Sequence, residues 1–217
     1  MTEKLALITG ASRGLGFAMA EALSPAYQII AVAKTTGGLE DLDDRIKAKG
    51  GQATLAPMDI TNADAMAHLC RSIFDRWGKI DLWVHTAVHT PPLTPVASMD
   101  ARDWDKSLSV NANATATLIP YVAPLLGDAG HAVFFEDVNV SDKFYGAYTA
   151  TKTAQINLAR AWQSETATTG PHVHIVQPQQ MGTAVQARFH PGKPATEMVA
   201  PSDEAARIIA ELNLVSL

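Results

Sequence analysis

Tyr148 and Lys152 stand four residues apart, the spacing that puts two side chains on one face of a helix. A phenol beside an ammonium can move a proton, because a nearby cation favours the phenolate of a group whose ordinary pKa is near 10. Lowering it by roughly three units takes about 4 kcal/mol of differential interaction, within reach of a cation held close in a partly dry site. A second chemical feature lies near the N-terminus, in the run Thr9-Gly10-Ala11-Ser12-Arg13-Gly14-Leu15-Gly16. Its glycines let backbone approach a pyrophosphate, and a helix starting there would offer the partial positive charge of its N-terminus.

Both features need elements to hold them, and the hydrophobic pattern supplies an alternation. Short apolar runs at 5–9, 28–33, 53–58, 80–84, 131–135 and 172–177 predict strands. Between and after them, 15–23, 39–49, the stretch ending at Gly78, 103–126, 148–166 and 203–212 predict helices. Thr61 or Asn62 is the expected cap of the third helix and Ser202 that of the last, while Pro120 and Pro124 are expected to disturb the end of the long fourth one. In the third helix, Met66, Leu69, Cys70, Ile73, Phe74 and Trp77 recur at spacings of three and four and predict one inward face. Strands alternating with helices require parallel pairing with both faces covered. The expected fold is therefore α/β, a doubly wound, Rossmann-like sheet of about six strands. No polar linker divides the 217 residues, so a single domain over 1–217 is expected, with the proline-containing stretch 183–201 as a lid beside Phe144, Tyr145 and Phe189.

The glycine spacing, placed between a first strand and a first helix, resembles the short-chain dehydrogenase/reductase family, and the resemblance runs almost to the C-terminus. It implies an oxidoreductase that moves hydride between NAD(P)(H) and a carbonyl or alcohol substrate. Gly10, Ser12, Arg13, Gly14, Leu15 and Gly16 would cradle the nucleotide, Asp59 would bond the adenine amino group, and Ile60 would lie against the ring. Ala87, Pro178, Met181 and Thr183 match further cofactor contacts. Ala33 stands where an acidic residue would reject a 2′-phosphate, and Lys34 and Arg13 could bracket one, which favours NADP(H) over NAD(H). Tyr148 would be the general acid or base, Lys152 would also hold the nicotinamide ribose, and Asn111, with Asn113 as a nearby competitor, would be the asparagine that bends the long helix.

Three departures from the family pattern touch the chemistry. The serine that donates to the substrate oxygen is replaced by Asp137, with Asn139 and Ser141 able to swing into its role. An ionised carboxylate cannot donate that bond. The motif after the fourth strand reads His85-Thr86-Ala87-Val88, which puts His85 in an asparagine's place and bulk at Val88 where a glycine is expected beside the cofactor. Pro178-Gln179 replaces Pro-Gly, and the family's seventh edge strand has no counterpart before Leu217. These changes keep open an alternative, a nucleotide-binding regulator or scaffold with weak or lost catalysis.

Composition bounds the rest. Hydrophobic residues at 47% and charged residues at 18% fit a globular core, and a net charge of −5 without a basic run argues against nucleic acid. No window suits a membrane span or leader, so a cytoplasmic protein is expected. Cys70 is the lone cysteine. His172 and His174 share a strand face without an evident third ligand, so no metal is expected. The family's packing of its long central helices implies a homodimer.

Overall fold

The computed structural model describes residues 4–137 and 143–215. Six strands, β1 (Lys4–Thr9), β2 (Tyr27–Ala33), β3 (Ala53–Pro57), β4 (Leu82–His85), β5 (His131–Phe135) and β6 (His172–Val176), form one sheet in the order β3-β2-β1-β4-β5-β6. Every neighbouring pair is parallel. The order reverses between β1 and β4, so the loops leaving these two strands flank the crevice where open α/β sheets bind ligands.

One face of the sheet is covered by α1 (Gly14–Leu23), α2 (Thr36–Ala48) and α8 (Pro201–Glu211), which bury Met19, Leu23, Leu39, Leu42, Ile46 and Ile208. The other face is covered by α3 (Ala63–Trp77), α5 (Ala114–Leu126) and α6 (Gly146–Glu165), with Met66, Ile73, Leu118, Val122, Ile156 and Trp162 inside. Burial on both faces explains why all seven residues of β2 are buried, with no inside–outside alternation.

Local chemistry sets the helix boundaries. Asn62 caps α3 by accepting from the Ala65 N–H at 3.0 Å. Phe74, expected on the inner face of α3, is 53% exposed under the Arg71 guanidinium. The buried stripe is the narrower Met66, Cys70, Ile73 set. Ser202 does not cap α8. The helix starts two residues earlier with Pro201 at its first turn, where a missing N–H costs nothing, and Ala200 is the flanking residue.

The long central helix also departs from expectation. It begins as α4 (Ala101–Ser107), widens into a π-helical stretch at Leu108–Asn113, and continues as α5 without a break at Pro120 or Pro124. Both prolines and Ala116 lie on the exposed side, so the carbonyls left without a helical partner face water while Leu118, Val122 and Leu125 anchor the buried side. A short helix not foreseen from the sequence, α7 (Ala184–Phe189), folds within 183–201.

Candidate active site

The glycine turn sits at the end of β1. Gly10 has φ +93, and a side chain there would fall 2.6 Å from the Ala87 nitrogen. At Gly16 it would fall 2.2 Å from Thr86 Oγ1. These two glycines are therefore required for the β1 turn to pack against the segment leaving β4. Gly14 opens α1 at φ +60 and faces Thr183, whose γ-methyl lies 3.5 Å from the position of an added Cβ. Leu15 is buried below the turn, while Ser12 and Arg13 lie at its rim and Arg13 is exposed. The turn fits a pyrophosphate at the N-terminus of α1, a ten-residue helix with no acidic side chain in its first turn.

At the adenosine end, Ala33 and Ile60 are buried, and the Lys34 ammonium reaches the Asp59 carboxylate at 2.5 Å. Two residues expected to contact nucleotide thus engage each other. Burial alone would raise the Asp59 carboxyl, but Lys34 and the hydrogen bonds from Thr61 hold it below its ordinary value. Lys34 is 65% exposed, so the pair is worth at most about 1 kcal/mol.

The reactive groups gather beyond the end of β5. Tyr148 and Lys152 share the first turns of α6, with Tyr148 buried and Lys152 half-buried. The Tyr148 hydroxyl donates to Asp137 Oδ2 at 3.2 Å, which puts the carboxylate against the phenol. Asn139 and Ser141 lie outside the described residues. Burial first, then the charge and hydrogen bond of Asp137, raise the Tyr148 pKa, opposite to the lowering expected from Lys152 alone. Both causes favour the neutral phenol.

Lys152 donates to the Phe135 carbonyl at 2.8 Å and to Gln155 Oε1, which engages two of its three N–H groups. Burial pushes its pKa down to about 8, against the opposing pull of Asp137 and Glu136. Glu136 is itself bidentate with Arg160, at 2.7 and 2.9 Å.

Asn111 is fully buried in the π-helical stretch, with Oδ1 accepting from the His89 N–H at 2.7 Å. Its Nδ2 donates to the His89 carbonyl and to Thr151 Oγ1, each at 3.0 Å. It thereby ties the segment after β4 to the helix that carries Tyr148 and Lys152. Asn113 is exposed and takes no such position.

Other contacts of the site were not foreseen from the sequence. Phe189 of α7 packs edge-on over Tyr148, ring centroids 4.8 Å apart, and against Tyr145 at 4.9 Å. Val88 joins this group, so its bulk packs beside Tyr148. Phe144, by contrast, is exposed. After β6, the Gln179 N–H donates to the fully buried Glu204 at 2.9 Å, and Glu204 pairs with Arg207, which fixes the Pro178-Gln179 turn from α8. Met181 bridges Val199, and Thr183 caps α7.

His131 is the third histidine beside His172 and His174. Pairing of β5 with β6 brings its Nδ1 to 2.9 Å from His174 Nε2 at the sheet end opposite the active site. Among the described residues, no group of three such side chains is arranged to hold a metal ion. Nor is any helix there long and apolar enough to cross a membrane.

Comparison with known proteins agrees with this geometry. The sequence pattern of the family described as short chain dehydrogenase matches residues 4–194. Glycine betaine reductase ATRR of Emericella nidulans is 28% identical over 98% of this chain, which spans 18% of that protein. The uncharacterized oxidoreductase Rv1543 of Mycobacterium tuberculosis is 30% identical over 75% of this chain, and the match covers 50% of its length. Thus the chain spans half or less of these two relatives. A metagenomic short-chain oxidoreductase, solved in complex with NADP, superposes with a TM-score of 0.82 at 26% identity, covering 96% of this chain and 89% of that one. With its glycine turn, its Tyr148 and Lys152 on one helix and its six-stranded parallel sheet, this chain belongs to the short-chain dehydrogenase family.

Proposed function

We propose that the protein is an oxidoreductase that moves hydride between NADP(H) and a small carbonyl or alcohol substrate. The observation that carries this reading is the placement of Tyr148 and Lys152 beyond the end of β5, at the same carboxyl end of the sheet as the Gly10 to Gly16 turn. The bound nicotinamide would supply the hydride. Tyr148 would exchange the proton with the substrate oxygen, Lys152 would hold the ribose with its remaining N–H, and Asn111 would keep the two segments in register. Residues 183–201 would act as the lid, with Phe189 closing over Tyr148. Oxidation of NADPH by a generic dicarbonyl or quinone, followed by loss of nicotinamide fluorescence, tests the proposal. Slow, saturable turnover is expected, and NADPH binding without any turnover would contradict it.

The 3.2 Å contact of Asp137 with Tyr148 favours a second reading, a nucleotide-binding regulator or scaffold in which the proton relay is impaired. The same turnover assay separates the two.

Preference for NADP(H) follows from Ala33, which leaves no carboxylate to repel a 2′-phosphate, and from the cations Lys34 and Arg13 at the rim. Lys34→Asp is expected to reverse the preference, weakening NADPH by about tenfold or more while sparing NADH. Unchanged affinity for both nucleotides in that variant would rule out Lys34 as the selecting residue.

A cytoplasmic homodimer completes the proposal, with α5 and α6 as the shared face. Leu158, a large apolar side chain 38% exposed on α6, supports that face. Sedimentation at micromolar concentration is expected to show a dimer that Leu158→Glu dissociates. A monomeric parent would refute it.

A further inference from the structure

Lys152 is the outer end of a buried polar chain that runs across the core. Its ammonium donates to Gln155 Oε1, and Gln155 Nε2 donates to Thr115 Oγ1 at 2.9 Å. Thr115 Oγ1 lies 3.0 Å from His85 Nε2, and His85 Nδ1 lies 2.7 Å from Thr9 Oγ1, which also accepts from the Trp83 indole at 3.3 Å. Thr9, Thr115, Gln155 and His85 are all buried, at 0%, 0%, 1% and 2% exposure. Apolar side chains of similar size would fill this space without the cost of stripping water from amide, hydroxyl and imidazole. A polar chain satisfied end to end and terminating on one lysine therefore has a purpose beyond packing.

We propose that Thr115, backed by His85, is a positioning residue for Lys152 that acts through the side-chain amide of Gln155. An amide does not relay protons as a hydroxyl does, so the chain works by orientation. Burial, reinforced by the Lys152 charge, holds His85 neutral, with its pKa pushed down to about 3. Either His85 tautomer leaves the Thr115 oxygen open as an acceptor. In one, Thr115 gives its proton to Nε2. In the other, Nε2–H donates to Thr115, whose own proton turns to the Asn111 carbonyl at 3.5 Å. The Thr115 oxygen therefore draws the Gln155 NH₂ inward and turns Oε1 onto the Lys152 ammonium. A reversed amide would set NH₂ against that charge.

The other groups around Lys152 are the Phe135 carbonyl, the carboxylates of Asp137 and Glu136 at the end of β5, Tyr148 on its own helix, and the neutral His85 on β4. Of these, the Phe135 carbonyl and the two carboxylates would still favour the charged ammonium if Gln155 turned away. The inference rests on Lys152 being the nucleotide-holding lysine, but its test reads the ammonium directly.

The experiment is a pH titration of the Lys152 side-chain nitrogen by NMR in lysine-labelled full-length protein, assigned with Lys152→Arg. The parent midpoint is expected near the value of about 8 that burial sets. Thr115→Val, which keeps the shape and deletes the hydroxyl, is expected to lower the midpoint by about one unit, a tenfold change in acidity. Thr115→Ser should restore it, and Gln155→Glu should raise it. If Thr115→Val does not fold, as judged by thermal melting, Gln155→Met removes the same acceptor and should shift the midpoint in the same direction. Unchanged midpoints in these variants, or equal shifts in Thr115→Val and Thr115→Ser, would overturn the proposal. Because no turnover is needed, a protein without oxidoreductase activity would still test this chain.

Discussion

Tyr148→Phe is expected to abolish measurable turnover, a loss of about 10²–10⁴-fold, while leaving NADPH affinity within about twofold. The variant keeps the ring that Phe189 covers and deletes only the hydroxyl that donates to Asp137, so the fold has little reason to respond. Steady-state rates and nucleotide titrations on the same preparation check both halves. Lys152 adds a pH dependence. Its pKa is pushed down to about 8, so it is charged below that value and neutral above it. In the forward reduction, kcat/KM should therefore fall as pH rises through about 8. Turnover that survives in Tyr148→Phe would remove the proton-transfer role assigned to the tyrosine.

Asp137→Ser is expected to accelerate reduction of a generic dicarbonyl by about tenfold or more at neutral pH. The carboxylate only accepts hydrogen bonds, and it repels the negative charge that grows on a carbonyl oxygen as hydride arrives. Its hydrogen bond with Tyr148 also contributes, after burial, to raising the phenol pKa and so makes Tyr148 a weaker acid. Serine supplies a neutral donor and removes that charge. Losing such a donor commonly costs about 10²–10³-fold, so a gain of about tenfold, roughly a third to a half of that loss in free energy, is a modest expectation. Val88 packs into the Tyr148 group, which makes Val88→Gly a poor companion change because it would loosen that packing. A brisk parent whose Asp137→Ser variant is slower would show that Asn139, Ser141 or the aspartate itself performs the serine's task.

Features held within one element or one turn were legible in the sequence. The glycine spacing declared itself because Gly10 and Gly14 need positive φ and Gly16 has no room for a side chain, constraints that few other residues meet. Tyr148 and Lys152 were legible for the same reason, since a four-residue interval on a helix fixes their common face. Contacts between distant segments were not legible. Thr115 meets Gln155 across 40 residues, and Phe189 reaches Tyr148 from a six-residue helix too short to carry a periodic signal. The Lys34–Asp59 pair shows the same limit, because the resemblance assigned each residue to the nucleotide and the two also engage each other. The burial and the Asp137 carboxylate that raise the Tyr148 pKa were not legible either, because a four-residue interval shows neither. His131 joined the other two histidines only through the parallel register of β5 and β6.

The central claim is that the glycine turn, Lys34 and Lys152 form one NADP(H) site, and titrating the parent protein with NADPH and NADH side by side tests it most directly. Saturable binding of both is expected, with NADPH the tighter by about tenfold. Tighter NADH, or no binding of either nucleotide, would contradict it.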